Sequence, residues 1–167
     1  VRFHGVRGSF PVPSRDVAHF GGNTACIEVV SGPFRVVLDC GTGIIGLGNE
    51  LAAGASLEPV RALVLVSHAH HDHTMGWPFF KPVYDPRTLL WVCGPGREGE
   101  SFQHLFERAF SDPYFPVPPE AMASRRGFRT LAHGDSLAWR APDESPEALT
   151  GDPGLGRGAG GGVDALA

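Results

Sequence analysis

The chain alternates short apolar runs with glycine- and proline-rich breaks, the rhythm of a mixed α/β protein. Val1 to Val6 reads as a first strand, which gives way at Gly5-Val6-Arg7-Gly8-Ser9 to a loop enforced by Pro11 and Pro13. Gly21-Gly22-Asn23 marks a turn, and Thr24 to Val30 alternates as a second strand. Gly32-Pro33 turns the chain into Phe34 to Cys40, a third strand that stops at Asp39-Cys40-Gly41-Thr42-Gly43. Ile44, Ile45, Leu47 and Leu51 then share one helical face, and Gly54 ends that helix.

Arg61 to Val66 is a fourth strand, apolar on both faces and therefore buried. A short helix is predicted near Met75 to Phe80, and a fifth strand over Leu89 to Cys93. Phe102, Leu105, Phe106 and Ala109 fall at helical spacing, so Glu98 to Phe110 is read as an amphipathic helix whose aromatics pack the core. The prolines of Asp112 to Pro119 exclude regular structure. Gly127 to Leu131 and Ser136 to Trp139 form a last pair of strands. At Ala141 the composition turns to Gly, Pro and Ala. A folded domain over 1–140 and a poorly ordered tail over 141–167 are expected.

The 167 residues are enough for one domain with a hydrophobic core. A net charge of −4 gives no reason to expect a nucleic-acid partner, and Arg125, Arg126 and Arg129 read as a solvated face. No stretch approaches the roughly 20 apolar residues of a membrane span. Val1-Arg2-Phe3-His4 has no signal-peptide pattern and no initiating Met. Cys26, Cys40 and Cys93 are odd in number and widely spaced, so buried thiols in a reducing, cytoplasmic setting are expected rather than disulfides or ligands.

The chemistry is concentrated in Ser67-His68-Ala69-His70-His71-Asp72-His73-Thr74-Met75-Gly76, directly after the fourth strand. His68-x-His70-x-Asp72-His73 places four metal-ligating side chains within six residues. Four ionisable groups so close are costly without a cation. His68 and His70, two apart on an extended backbone, project the same way. Asp72 and His73, at the loop-to-helix junction, can serve a second ion, whereas His71 points away. Zinc suits these donors, as do manganese and iron.

His68-x-His70-x-Asp72-His73-x-x-Gly76 resembles the signature of the metallo-β-lactamase fold superfamily, and Gly76 leans to its ribonuclease Z-like and phosphodiesterase-like branch. Gly5-Val6-Arg7-Gly8-Ser9-x-Pro11, Gly21-Gly22-Asn23-Thr24, Asp39-x-Gly41-Thr42-Gly43 and Pro113-Tyr114-Phe115-Pro116 resemble that branch as well. The similarity covers roughly residues 1 to 140. It implies an α/β fold, the N-terminal half and part of the second half of an αββα sandwich, with a site for two divalent metal ions at one sheet edge. His68 and His70 would bind the first ion, and Asp72 and His73 the second. A metal-bridging hydroxide would attack phosphorus or a carbonyl, with Asp72 as the catalytic carboxylate, Asp39 supporting the ligands and Arg7 meeting a substrate phosphate. The implied activity is hydrolysis of a small phosphodiester such as a cyclic nucleotide.

Family members add a third His for the first metal, a bridging Asp and a last His, all from the second half of the sandwich. After His73 this chain has only His104, on the predicted amphipathic helix, and His133, in a turn. Thr150-Gly151-Asp152 resembles the Gly-Asp pair of the bridging ligand, which makes Asp152 a further candidate. The expectation is a fold truncated at its C-terminus, with apolar surface left open or covered in a homodimer. Two alternatives stand beside the phosphodiesterase reading. One is a catalytically silent remnant or binding module that keeps part of the metal site. The other is a thioester, lactone or β-lactam hydrolase of the same fold.

Overall fold

The computed structural model describes residues 1–54 and 58–149. A six-stranded sheet runs β1 (Arg2–Gly5), β2 (Cys26–Ser31), β3 (Phe34–Leu38), β4 (Arg61–Leu65), β5 (Leu89–Pro95) and β6 (Arg125–Leu131), neighbours in space as in sequence. The first two pairings are antiparallel and the last three parallel. β4 and β5 lie inside the sheet and are apolar on both faces, as parallel strands covered on two sides must be.

One face carries Val37, Val64, Leu90, Val92 and Phe128 under two helices, α1 (Gly43–Ala53) and α3 (Phe102–Arg108). Phe102 and Phe106 of α3 are fully buried there, the core role predicted for them. The opposite face carries Leu63, Trp91 and Cys93, packed against Leu137 and Trp139. Those two come from β7 (Ser136–Ala138) and its end, and β7 pairs antiparallel with β8 (Glu147–Leu149). The described residues thus stack helices, a large sheet and a small second sheet. Central apolar residues of the second face are covered. Towards the β1 edge nothing among the described residues continues the cover, and Phe3 is 67% exposed.

Several predicted boundaries move. The expected helix over 75–80 is replaced by a one-turn helix α2 (His71–Thr74) and a 3-10 turn at Trp77–Phe79. The helix expected over 98–110 is shorter, because Ser101 caps it through a bond from the His104 N–H and residues 97–100 form a turn before it. The last two predicted strands do not pair with each other: β6 joins β5, and β7 joins β8. β8 lies beyond the boundary expected at 140, while residues 150–167 fall outside the described residues. Arg126 is no solvated charge. It is half-buried, and its guanidinium donates to the carbonyls of Met122 (2.6 Å) and Pro119 (3.0 Å). All three cysteines are free and buried. No helix among the described residues is long and apolar enough to cross a membrane.

Candidate metal centre

The site forms where β3 and β4 end side by side. The Asp39 N–H donates to the Leu65 carbonyl at 2.9 Å, which extends the pairing by one residue. Asp39 then turns out of the strand with φ +60°, a left-handed conformation uncommon for a non-glycine residue and often found at functional sites. Its Oδ1 accepts the Ser67 N–H at 2.7 Å and the Ser67 hydroxyl at 2.9 Å, and its Oδ2 lies 2.8 Å from Nδ1 of His73.

Three sequence landmarks converge to hold this loop. The Thr42 N–H donates to Oγ1 of Thr24 at 2.8 Å, and the Thr24 N–H donates to Oγ1 of Thr42 at 2.9 Å. Val6 and Arg7 both donate their N–H groups to the Asn23 carbonyl, at 3.1 and 3.0 Å. Cys40 receives the Gly76 N–H at 3.0 Å and donates its own to His73 at 2.9 Å. Gly76 is packed so closely that a Cβ would stand 2.1 Å from the Gly41 carbonyl oxygen. The trailing glycine of the motif therefore has a packing reason.

Proton accounting orients the imidazoles. Ser67 has one hydroxyl proton, and Asp39 as a carboxylate only accepts, so that proton goes to Asp39. The Ser67 oxygen can then accept from Nδ1–H of His68, 3.0 Å away. His73 gives its Nδ1–H to Asp39. Both rings are left with a bare lone pair on Nε2, the tautomer a metal ligand needs. Their centroids are 4.2 Å apart, and His70 stands 4.4 Å from His68. Asp72 closes the group: its Oδ2 accepts the Ser9 N–H at 2.8 Å and lies 3.3 Å from Nε2 of His73. Burial holds the His68 pKa below its ordinary value, with the neighbouring His73 and His70 acting the same way. For Asp72, burial works upward, but the Ser9 N–H and the adjacent His73 outweigh it and keep the carboxyl below the usual range.

The sequence profile of the metallo-beta-lactamase superfamily matches residues 19–118, which takes in β2 to β5, α1, α2, α3 and the whole histidine motif. The chain belongs to the metallo-β-lactamase superfamily. Its mixed sheet, with helices on one face, is the fold expected of that family. Ribonuclease Z of Metallosphaera sedula is 27% identical over 99 residues, 56% of this chain and 32% of that protein. An uncharacterised protein of Synechocystis sp. is 31% identical over 126 residues, 75% of this chain and 18% of that protein. The chain thus spans about a third of one curated relative and under a fifth of the other. No solved structure matches it. The similarity to ribonuclease Z agrees with the branch to which Gly76 and the N-terminal landmarks pointed.

In this superfamily member the predicted residues His68, His70, Asp72 and His73 stand together at one sheet edge, with Asp39 bonded to His73. His71 is exposed, as expected. His104 is instead drawn to Glu100, 3.0 Å away, and His133 sits exposed in the turn after β6. Asp152 lies outside the described residues. Arg7 stands on the loop that brings Ser9 to Asp72, its guanidinium 5.7 Å above the ring of Phe10. The sequence reading assigned no role to Ser67 or Ser9, although both stand in the motifs it singled out.

The donor set fits a divalent cation in one specific respect. Nε2 of His73 and Oδ2 of Asp72 face each other at 3.3 Å, and in the tautomer fixed by Asp39 both are acceptors. Two acceptors so placed call for a cation between them. Among the described residues, however, no three His, Cys, Asp or Glu side chains already converge on a single point.

Proposed function

We propose that this chain carries the first-half metal ligands of a metal-dependent hydrolase that acts on phosphodiesters of small molecules. The observation that carries the reading is the Asp39–Ser67 relay, which presents the bare Nε2 atoms of His68 and His73 beside the Asp72 carboxylate. His68 and His70 would hold one divalent ion, zinc by donor type, and Asp72 and His73 a second. Such ions supply Lewis acidity and lower the pKa of a water molecule. Asp72, kept ionised at neutral pH and oriented by the Ser9 N–H, takes the proton of the attacking water. Arg7 has no carboxylate partner among the described residues, so its charge is available to a phosphate. The similarity to ribonuclease Z supports a phosphodiester over a thioester, lactone or β-lactam.

The test is release of 4-nitrophenolate from bis(4-nitrophenyl) phosphate, with added zinc or manganese and with a chelator. Metal-dependent turnover that falls by about 100-fold or more in Asp72→Asn, with an unchanged circular dichroism spectrum, is expected. Equal turnover in the wild type and Asp72→Asn would overturn the reading. One observation favours a second reading, a metal-binding remnant without turnover: no three donors converge among the described residues. That reading predicts that zinc is held loosely or not at all after dialysis, with no hydrolysis.

A further inference from the structure

The loop after β1 and the turn before β2 line an open cleft of about 400 Å³. Val6, Arg7 and Gly8 form one wall, and Val17, Phe20 and Gly21 the other. Gly8 is followed by Ser9, whose N–H holds Asp72, so one wall of the cleft belongs to the loop that orients the candidate catalytic carboxylate. Both walls are pinned by backbone bonds. Val6 and Arg7 donate to the Asn23 carbonyl, and Phe20 and Gly21 both donate to the Val17 carbonyl, at 3.2 and 2.7 Å.

Apart from Arg7 and Asp16, the cleft is lined by apolar side chains and glycines. Phe20 is 78% exposed and Val6 49%, and Phe10, which lies under the Arg7 guanidinium, is 60% exposed. Exposed aromatics around a concavity mark a place where something apolar binds. The His19 ring braces Phe20 edge-on at 4.4 Å. Charge gives the cleft a direction. Arg7 is propped on Phe10, through the ring and through an Nε–H bond to the Phe10 carbonyl at 3.4 Å, and no carboxylate neutralises it among the described residues. Asp16 lines the same cleft, its carboxylate accepting the Ser14 hydroxyl at 3.3 Å, and repels an anion from its own end.

We propose that this cleft is a subsite for the aromatic group of an aryl phosphodiester, with the ring against Phe20 and Val6 and the phosphate at Arg7. The inference rests on the phosphodiester reading and names its substrate class. An aromatic ring stacked or edge-on against Phe20 gains about fivefold in affinity over a ligand without one.

The experiment is calorimetric titration of the full chain, with a chelator present, using diphenyl phosphate and dimethyl phosphate. Diphenyl phosphate is expected to bind at least about fivefold tighter. Phe20→Ala removes that difference and leaves dimethyl phosphate unchanged, Phe20→Tyr restores it, and Arg7→Gln weakens both ligands. Because Phe20 is exposed, its replacement leaves the fold intact. Equal affinity for the two phosphates, or diphenyl phosphate binding unaltered in Phe20→Ala, overturns the proposal. Failure of the parent reading looks different: it shows as aryl-selective binding without metal-dependent hydrolysis. Hydrolysis without aryl selectivity sinks the subsite alone.

Discussion

Oδ2 of Asp39 lies 2.8 Å from Nδ1 of His73, across a separation of 34 residues. The contact fixes the tautomer and the ring plane of His73, and through Ser67 it fixes His68 as well. Support of this kind is worth about 10–100-fold in metal affinity. Asp39→Asn is the informative variant, because asparagine tolerates the positive φ and keeps one acceptor oxygen. It can no longer accept from both Ser67 and His73 as an anion. Zinc affinity, measured by competition with a chromophoric chelator, is expected to fall about tenfold while the melting temperature barely moves. Unchanged zinc affinity would remove Asp39 from the site.

Gly76 and Gly41 pack backbone against backbone, with no room between them for a Cβ. A methyl group at position 76 would meet the Gly41 carbonyl and the Ile44 side chain, at 2.1 and 2.8 Å. The first contact is with backbone, so no rotamer change relieves it. Gly76→Ala is expected to cost about 1–3 kcal/mol in guanidinium denaturation. It should also shift the loop that carries Asp39, since the Gly76 N–H is bonded to Cys40. A variant as stable as the wild type would show that this segment yields easily.

The parts of the fold that were legible in the sequence are those whose cause is local. β4 and β5 read as strands because buried parallel strands are continuous apolar runs. The four candidate ligands read as a group because six residues hold them all. β8 was missed because Glu147-Ala148-Leu149 has too little pattern to stand alone. It exists by pairing with β7, which lies over Leu63 and Trp91. One-turn α2 is too short for any periodicity. Ser67 and Ser9 escaped for another reason. Their partners, Asp39 and Asp72, are 28 and 63 residues away, and only the tertiary fold makes a small polar residue into a clamp.

The three thiols are predicted to be inert in the native protein. Burial pushes Cys26 and Cys93 up to about 12, and Cys40 well above its ordinary value. A thiol reacts as its thiolate, so hardly any reactive form exists at pH 8. Ellman's reagent should label none of the three within minutes on the folded chain, and three per chain in guanidinium. One rapidly labelled thiol in the native state would contradict the placement of that cysteine in the core.

At the far edge of the same sheet, the buried Glu28 is paired with Arg35, and its Oε2 lies 3.2 Å from Nε2 of His4. Burial lowers the His4 pKa, and Arg2 and Arg35 add to the effect, so the neutral ring donates its Nε2–H to Glu28. The sign follows from linkage. Unfolding releases His4 to its ordinary value near 6.5, so the unfolded chain takes up a proton that the folded one resists. The stability His4 contributes is complete above that value and is lost as pH falls below it towards the lowered folded value. His68, lowered for the same first reason, contributes with the same sign. The decisive comparison is therefore between the wild type and His4→Gln, whose amide still donates to Glu28 but does not titrate. Melting temperatures between pH 7.5 and 5.5 should fall more steeply in the wild type than in the variant. Parallel profiles would mean that folding leaves the His4 pKa unshifted, and a shallower fall in the wild type would mean that His4 is charged in the folded state and ion-paired to Glu28.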